Sequence, residues 1–125
     1  MTPTTLLLRH AHSSFMDGDR ITSQVFMPFP KDEGCLSVYD GDLIKPEDSY
    51  AHYTQTLGNQ SSGLWALTKA ETDSESVPAS ADPLTNFPSH SKIDFGKRLE
   101  KDCRKIAKRL KILAAQRGKL YSPIQ

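Results

Sequence analysis

Between residues 96 and 118 the apolar positions recur at alternating steps of four and three: Leu99, Cys103, Ile106, Leu110 and Leu113, with Ala107 and Ala114 beside them. That spacing lines one stripe of a 3.6-residue helix. Gly96 and Gly118 bracket the segment, and Ala, Leu, Lys, Arg and Gln fill it, all good helix formers. Upstream the pattern breaks into short runs. Residues 4–10 (TTLLLRH), 20–27 (RITSQVFM), 36–39 (LSVY), 63–71 (GLWALTKAE) and 91–95 (SKIDF) are apolar or alternating. These lengths predict strands, although 63–71 is also compatible with a helix. One further helix is predicted over 47–57. Pro46 suits its first position, Glu47 and Asp48 complement its dipole, and Gly58 can close its end. Tyr50, Tyr53 and Leu57 then share a face.

The punctuation between these runs is consistent with them. Residues 16–19 (MDGD) form a turn signature, because Gly tolerates positive φ and Asp bonds its own backbone. Pro28 and Pro30 block regular ladder pairing, residues 31–34 make another turn, and Asp40-Gly41-Asp42 closes the third strand. Residues 72–89 shift to Ser, Asp, Glu and Pro, which predicts a mobile surface loop with too little core-forming content to offset its ordering entropy. Leu120, Tyr121 and Ile124 are expected to fold back after the long helix. The order β-β-β-α-β-loop-β-α predicts an α+β fold. A small antiparallel or mixed sheet packs against a long C-terminal amphipathic helix and one short helix, with the helices on one face. The expectation is a single domain over 1–125, with a body at 1–96 and a helix at 97–117. Leu99, Ile106 and Leu110 should be buried against the sheet, with Trp65 or Val38 among their neighbours.

Charge changes the picture. Residues 1–96 hold 6 Lys/Arg against 13 Asp/Glu, whereas residues 97–125 hold 10 against 2. On the helix, Lys97, Arg98, Lys101, Arg104, Lys105, Lys108, Arg109, Lys111 and Arg117 face only Glu100 and Asp102. Either the helix neutralises itself on its own acidic body, or it meets an anionic partner, nucleic acid or an acidic protein. Cys35 and Cys103 are too few for a disulfide framework or a cysteine-rich zinc site, and Cys103 reads as a small buried hydrophobe. Leu6, Leu7 and Leu8 are too short a run for a signal peptide or a membrane span. The sequon Asn59-Gln60-Ser61 then lacks a secretory context. These features predict a soluble, cytoplasmic protein with no membrane partner.

Candidate chemistry concentrates in the N-terminal third, where Arg9, His10, His12, Arg20, Thr22, Ser23, Gln24, Lys31 and Asp32 interrupt the apolar runs. Guanidinium forks suit phosphate or carboxylate, and histidine titrates near neutral pH. Arg9, His10, Ser23 and His90 are the catalytic candidates. A histidine pair with a nearby cation is what phosphodiester cleavage requires. Arg20, Gln24, Arg98, Lys101, Lys105, Lys108 and Arg109 are the binding candidates. His10 and His12 could join His52 or His90 as zinc ligands, but no ligand spacing beyond His-x-His supports it, so no metal is expected. No P-loop, dinucleotide fingerprint, nucleophile elbow or nucleic-acid-binding signature occurs, and no cofactor is expected. The leading expectation is a binding module that presents the basic helix to an anionic partner. The alternative is an enzyme acting on a nucleotide or phosphodiester.

Two resemblances accompany this reading. Arg9-His10, Phe15, Gly18, residues 20–26 (RITSQVF), Pro28, Lys31-Asp32, residues 36–42 (LSVYDGD) and Ile93-Asp94-Phe95 together resemble a group of uncharacterised bacterial proteins, which brings no activity with it. The first strands are also similar to those of ADP-ribosyltransferases, in which an Arg or His on one strand and a Ser on the next hold NAD. That resemblance implies Arg9 or His10 with Ser23. The late glutamate it requires has no clear counterpart in Glu71, Glu75 or Glu100.

Overall fold

The computed structural model describes residues 1–29 and 33–123. Pro30, Lys31, Asp32 and Ile124, singled out above, lie outside them. The strands are β1 (Leu6–His10), β2 (Met16–Asp17), β3 (Arg20–Ile21), β4 (Cys35–Asp40), β5 (Leu64–Thr68), β6 (Ala79–Ala81) and β7 (His90–Asp94). The helices are α1 (Pro46–Ala51), α2 (Lys69–Ser74) and α3 (Glu100–Arg117). Five strands form one antiparallel sheet in the order β5-β1-β4-β7-β6, while β2 and β3 make a separate hairpin. The fold is α+β.

Strand alternation sends Leu7 to one face of the sheet and Leu8 to the other. On the first face the stripe of α3 (Cys103, Ile106, Ala107, Leu110 and Ala114) joins Leu7, Val38, Trp65, Leu67, Ile93 and Phe95 in the main core. Ile106 and Leu110 meet the expectation, with Trp65 and Val38 in the same cluster. Leu99 does not: it is 63% exposed. The cause is local. Leu99 is the residue before α3 and is extended (φ −63°, ψ 149°), so the helical spacing does not govern it.

The opposite face is also covered. Leu8, Tyr39, Leu64 and Ala66 form a second cluster, roofed by Ile44, Tyr50, Tyr53, Phe87, Leu120 and Tyr121. Helices therefore flank both faces rather than one. β1 and β5 are apolar on both sides, as strands buried on two faces must be. Tyr121 also pairs with Leu64, and Arg117 Nη1 donates to Ala66 O at 2.9 Å, so the outer edge of β5 is partly closed.

Three other segments depart from the pattern. Within 20–27 only Arg20 and Ile21 pair, with Asp17 and Met16. The chain then tightens into a 3-10 turn, Ser23–Phe26, because Val25 and Phe26 are drawn entirely into the core beside α3. Residues 69–71 leave β5 as the start of α2. Thr68 caps that helix in a full capping box with Glu71, a signal present in the T-x-x-E spacing. Residues 72–89 contain the end of α2 and the edge strand β6, and Thr72, Val77, Ala79 and Ser89 are buried. The predicted helix over 47–57 divides into α1 and a π-helical segment, His52–Thr56. Among the described residues, no helix is long and apolar enough to cross a membrane.

Candidate functional site: a cationic helix face and a groove in the sheet

The basic residues of α3 and of the segment leading into it divide into two populations. The first is tied to the body. Arg98 donates to Phe95 O (2.6 Å) and Ser76 O (2.7 Å), and Arg109 pairs with Glu75 at 2.8 Å. Arg117 grips Glu71 with both terminal nitrogens, at 2.9 and 3.0 Å. Burial pushes the Glu71 carboxyl up, but Arg117 and the Thr68 backbone more than compensate and hold it below the usual carboxylate range. The second population faces outward. Among the described residues, Arg104 pairs only with Glu100 one turn away. Lys97, Lys101, Lys105, Lys108 and Lys111 make no ion pair among the described residues. Part of the helix's charge is thus neutralised on its own body, and the rest is turned to solvent.

Beside the outward lysines lies the β2–β3 hairpin. Arg20, Thr22 and Ser23 meet Lys108, Lys111 and Ile112 around a shallow depression of about 480 Å³, with Asp17 at its rim. A second depression, about 370 Å³, continues from Arg20 and Lys111 to Lys119, whose ammonium stands 5.7 Å from the Trp65 ring. The Arg20 guanidinium makes no hydrogen bond or ion pair among the described residues. Gln24 is exposed on the adjoining 3-10 turn.

Arg9, His10 and His90 belong to a different surface. β1 pairs with β4 only at Leu7↔Asp40 and Leu8↔Tyr39, while it stays with β5 along its whole length. Past Leu8 the two strands part. Arg9 spans the opening, donating Nε to Val25 O at 2.8 Å and Nη1 to Ser37 O at 2.9 Å. The gap opens into a groove of about 520 Å³ lined by His10, Tyr39, Tyr53, Phe87, His90 and Asn59 among others. A smaller bay with His12, Ser14 and Phe15 adjoins it through Arg9, His10 and Ser37.

His10 holds the groove's floor together. It is 6% exposed, and its ring nitrogens contact Ser61 Oγ (2.9 Å) and Ser49 Oγ (2.8 Å). Ser61 Oγ also lies 3.1 Å from Gly63 O, to which its hydroxyl donates. The arrangement that satisfies every atom has Nδ1–H donating to Ser61 and Nε2 accepting from Ser49. Burial, aided by the Arg9 guanidinium, lowers the His10 pKa to about 3, so the ring is neutral at ordinary pH. Tyr39, whose hydroxyl lies 2.7 Å from His52 Nδ1, has its pKa pushed well up by burial and by Tyr53.

The catalytic candidates therefore do not converge. Arg9, His10 and His90 line the groove, but Ser23 lines the depression under α3. His90 bonds Asp82 O at 2.8 Å and Ser37 Oγ at 3.2 Å. His12 sits beyond the end of β1 and accepts from Ser14 N at 3.0 Å, apart from the partners of His10. Among the described residues, no three His, Cys, Asp or Glu side chains are grouped to hold a metal ion. Ser23 also lies on a 3-10 turn rather than on a second strand, unlike the arrangement implied by the ADP-ribosyltransferase resemblance. Tyr53 and Leu57 were legible as one helix face; Asn59 and Phe87 carried no local signal, because loops bring them to the groove. No protein-family model, curated protein or solved structure matches this chain.

Proposed function

We propose that this chain is a small binding module that presents the outward face of α3, extended by Arg20, to an anionic partner, with nucleic acid foremost. One observation carries the reading. Lys101, Lys105 and Lys108 follow one another along the solvent side of α3 with no carboxylate partner among the described residues, and Lys108 and Lys111 share a depression with Arg20. At about 1.5 Å per residue, the three lysines extend over roughly 10 Å, enough to meet successive phosphates. The arginines that might have served instead, Arg98, Arg109 and Arg117, are committed to the body and brace the helix. An enzyme built on Arg9, His10, Ser23 and His90 has less support, since Ser23 lies apart and both ring nitrogens of His10 are engaged.

The test is the salt dependence of binding to short DNA and RNA duplexes and to single strands. Log affinity should fall linearly with log salt, at about −0.9 per phosphate contact on duplex DNA. Changing Lys101, Lys105 and Lys108 together to Gln should flatten the slope by up to about 3 with the melting temperature retained. Absence of binding to any nucleic acid at low salt removes that partner. Retention of a polyglutamate under the same conditions would assign the face to acidic protein instead.

A further inference from the structure

The groove between β1 and β4 is built independently of the cationic face, and its lining identifies a different kind of ligand. We propose that it binds an uncharged planar heteroaromatic ring of the nucleobase type.

Its size comes first: about 520 Å³ lies within the usual range for small-molecule sites. Its walls are rings already fixed in place. His10 and Tyr53 are stacked, 4.1 Å between centroids; Tyr39 stands edge-on to His10 at 5.3 Å; Phe87 lies 4.8 Å from Tyr39. Two of them are anchored by hydrogen bonds to other side chains: His10 by two serines and Tyr39 by His52. Such a site binds a flat molecule with little ordering of its own. At the rim, Leu57 and Leu84 remain 44% and 50% exposed, apolar surface left uncovered around an aromatic floor. Tyr53 itself stands on the π-helical segment His52–Thr56, a rare local geometry that frequently accompanies functional sites.

The polar groups set the class of ring. Tyr53 and the exposed Asn59 line the groove, and neither the Asn59 amide nor the Tyr53 hydroxyl makes a hydrogen bond among the described residues. An amide presents a donor beside an acceptor, the complement of the paired nitrogen and amino or carbonyl edge of a nucleobase. Among the described residues, no carboxylate and no lysine lines the groove. Its guanidinium, Arg9, is engaged by Val25 O and Ser37 O, and His90 is engaged by Asp82 and Ser37. The site therefore has ring faces and one hydrogen-bonding edge to offer, and favours a neutral ligand.

The experiment titrates adenosine, guanosine and uridine into ¹⁵N-labelled protein, with ribose as control. Nucleosides lack phosphate, so the lysines of α3 contribute nothing, and the outcome is separable from that of the proposed function. Amide shifts should move for Tyr53, Asn59 and Phe87 but not along α3, and ribose should move none. Asn59→Leu should weaken the preferred nucleoside about tenfold, the effect of one lost hydrogen bond pair. Leu84→Asp, on an exposed turn, should weaken all the nucleosides. No groove shift with any nucleoside at about 5 mM, a concentration at which even a millimolar Kd fills roughly four sites in five, overturns the proposal. So does binding left unchanged by both variants.

Discussion

The imidazole of His10 lies flat on the ring of Tyr53, 4.1 Å between centroids and 3° from parallel. That contact joins β1 to the π-helical segment after α1, across the face of the sheet opposite α3. A buried neutral histidine thus holds the second apolar cluster and the groove together, and it gives the fold a defined sensitivity to acid.

The folded pKa of His10, about 3, lies below its ordinary value of 6.5. The unfolded chain therefore binds a proton in that interval that the folded chain does not. Stability from this group is fully present above 6.5 and is lost as pH falls toward 3, at up to about 1.4 kcal/mol per pH unit. Chemical denaturation between pH 7 and 4 should show that slope on top of the carboxylate contribution. His10→Gln should be less stable at pH 7 yet lose less on acidification; parallel profiles for the two proteins would contradict the assignment.

Two leucines of the same sequence stripe should behave oppositely. Leu110 is fully buried under the sheet, so Leu110→Ala should cost about 2–5 kcal/mol. Leu99 is exposed at the mouth of α3, and Leu99→Ala should change stability by about 0.5 kcal/mol or less. Urea melts of both variants check this directly.

Glu71 closes the capping box of α2 and receives the Arg117 fork, tying the end of α3 to α2. Glu71→Ala should cost about 1–3 kcal/mol, combining a lost cap with a half-buried bidentate pair. Arg117→Ala in the same background should then add less than it does alone. A double-mutant cycle measures that coupling, and strict additivity would show the pair to be energetically idle.

Gly34 has φ +80°, and a Cβ there would collide with the carbonyl oxygen of Gly96. Gly34→Ala should destabilise by about 1–3 kcal/mol through strain and lost approach. Gly18 also has positive φ (64°) but has open space around its Cα, so Gly18→Ala should cost less. Thermal melts that rank the two the other way would remove the steric argument.

Periodicity alone determined α3, because a stripe repeated over five turns has one geometric solution, and it determined β1, β4 and β7, whose apolar runs needed a sheet to bury them; residues 63–71, compatible with strand or helix, were decided as β5 and the start of α2 only by pairing with β1. The α+β class followed from that order of elements. Local pattern could not decide Ser23–Phe26: a β-branched, aromatic run became a 3-10 turn because Val25 and Phe26 find their burial beside α3, a partner some eighty residues away. Nor could it decide Leu99, where a helix boundary shifted by three residues moves a side chain from core to solvent. The charges behaved likewise. Composition announced a basic helix on an acidic body, but only the packing of the chain in space determined that Arg98, Arg109 and Arg117 bond to the body while Lys101, Lys105 and Lys108 make no ion pair among the described residues. The groove is tertiary in origin. It exists because β1 and β4 part after two paired residues, and a gap between strands is a property of their paths in space, which no single stretch of sequence encodes.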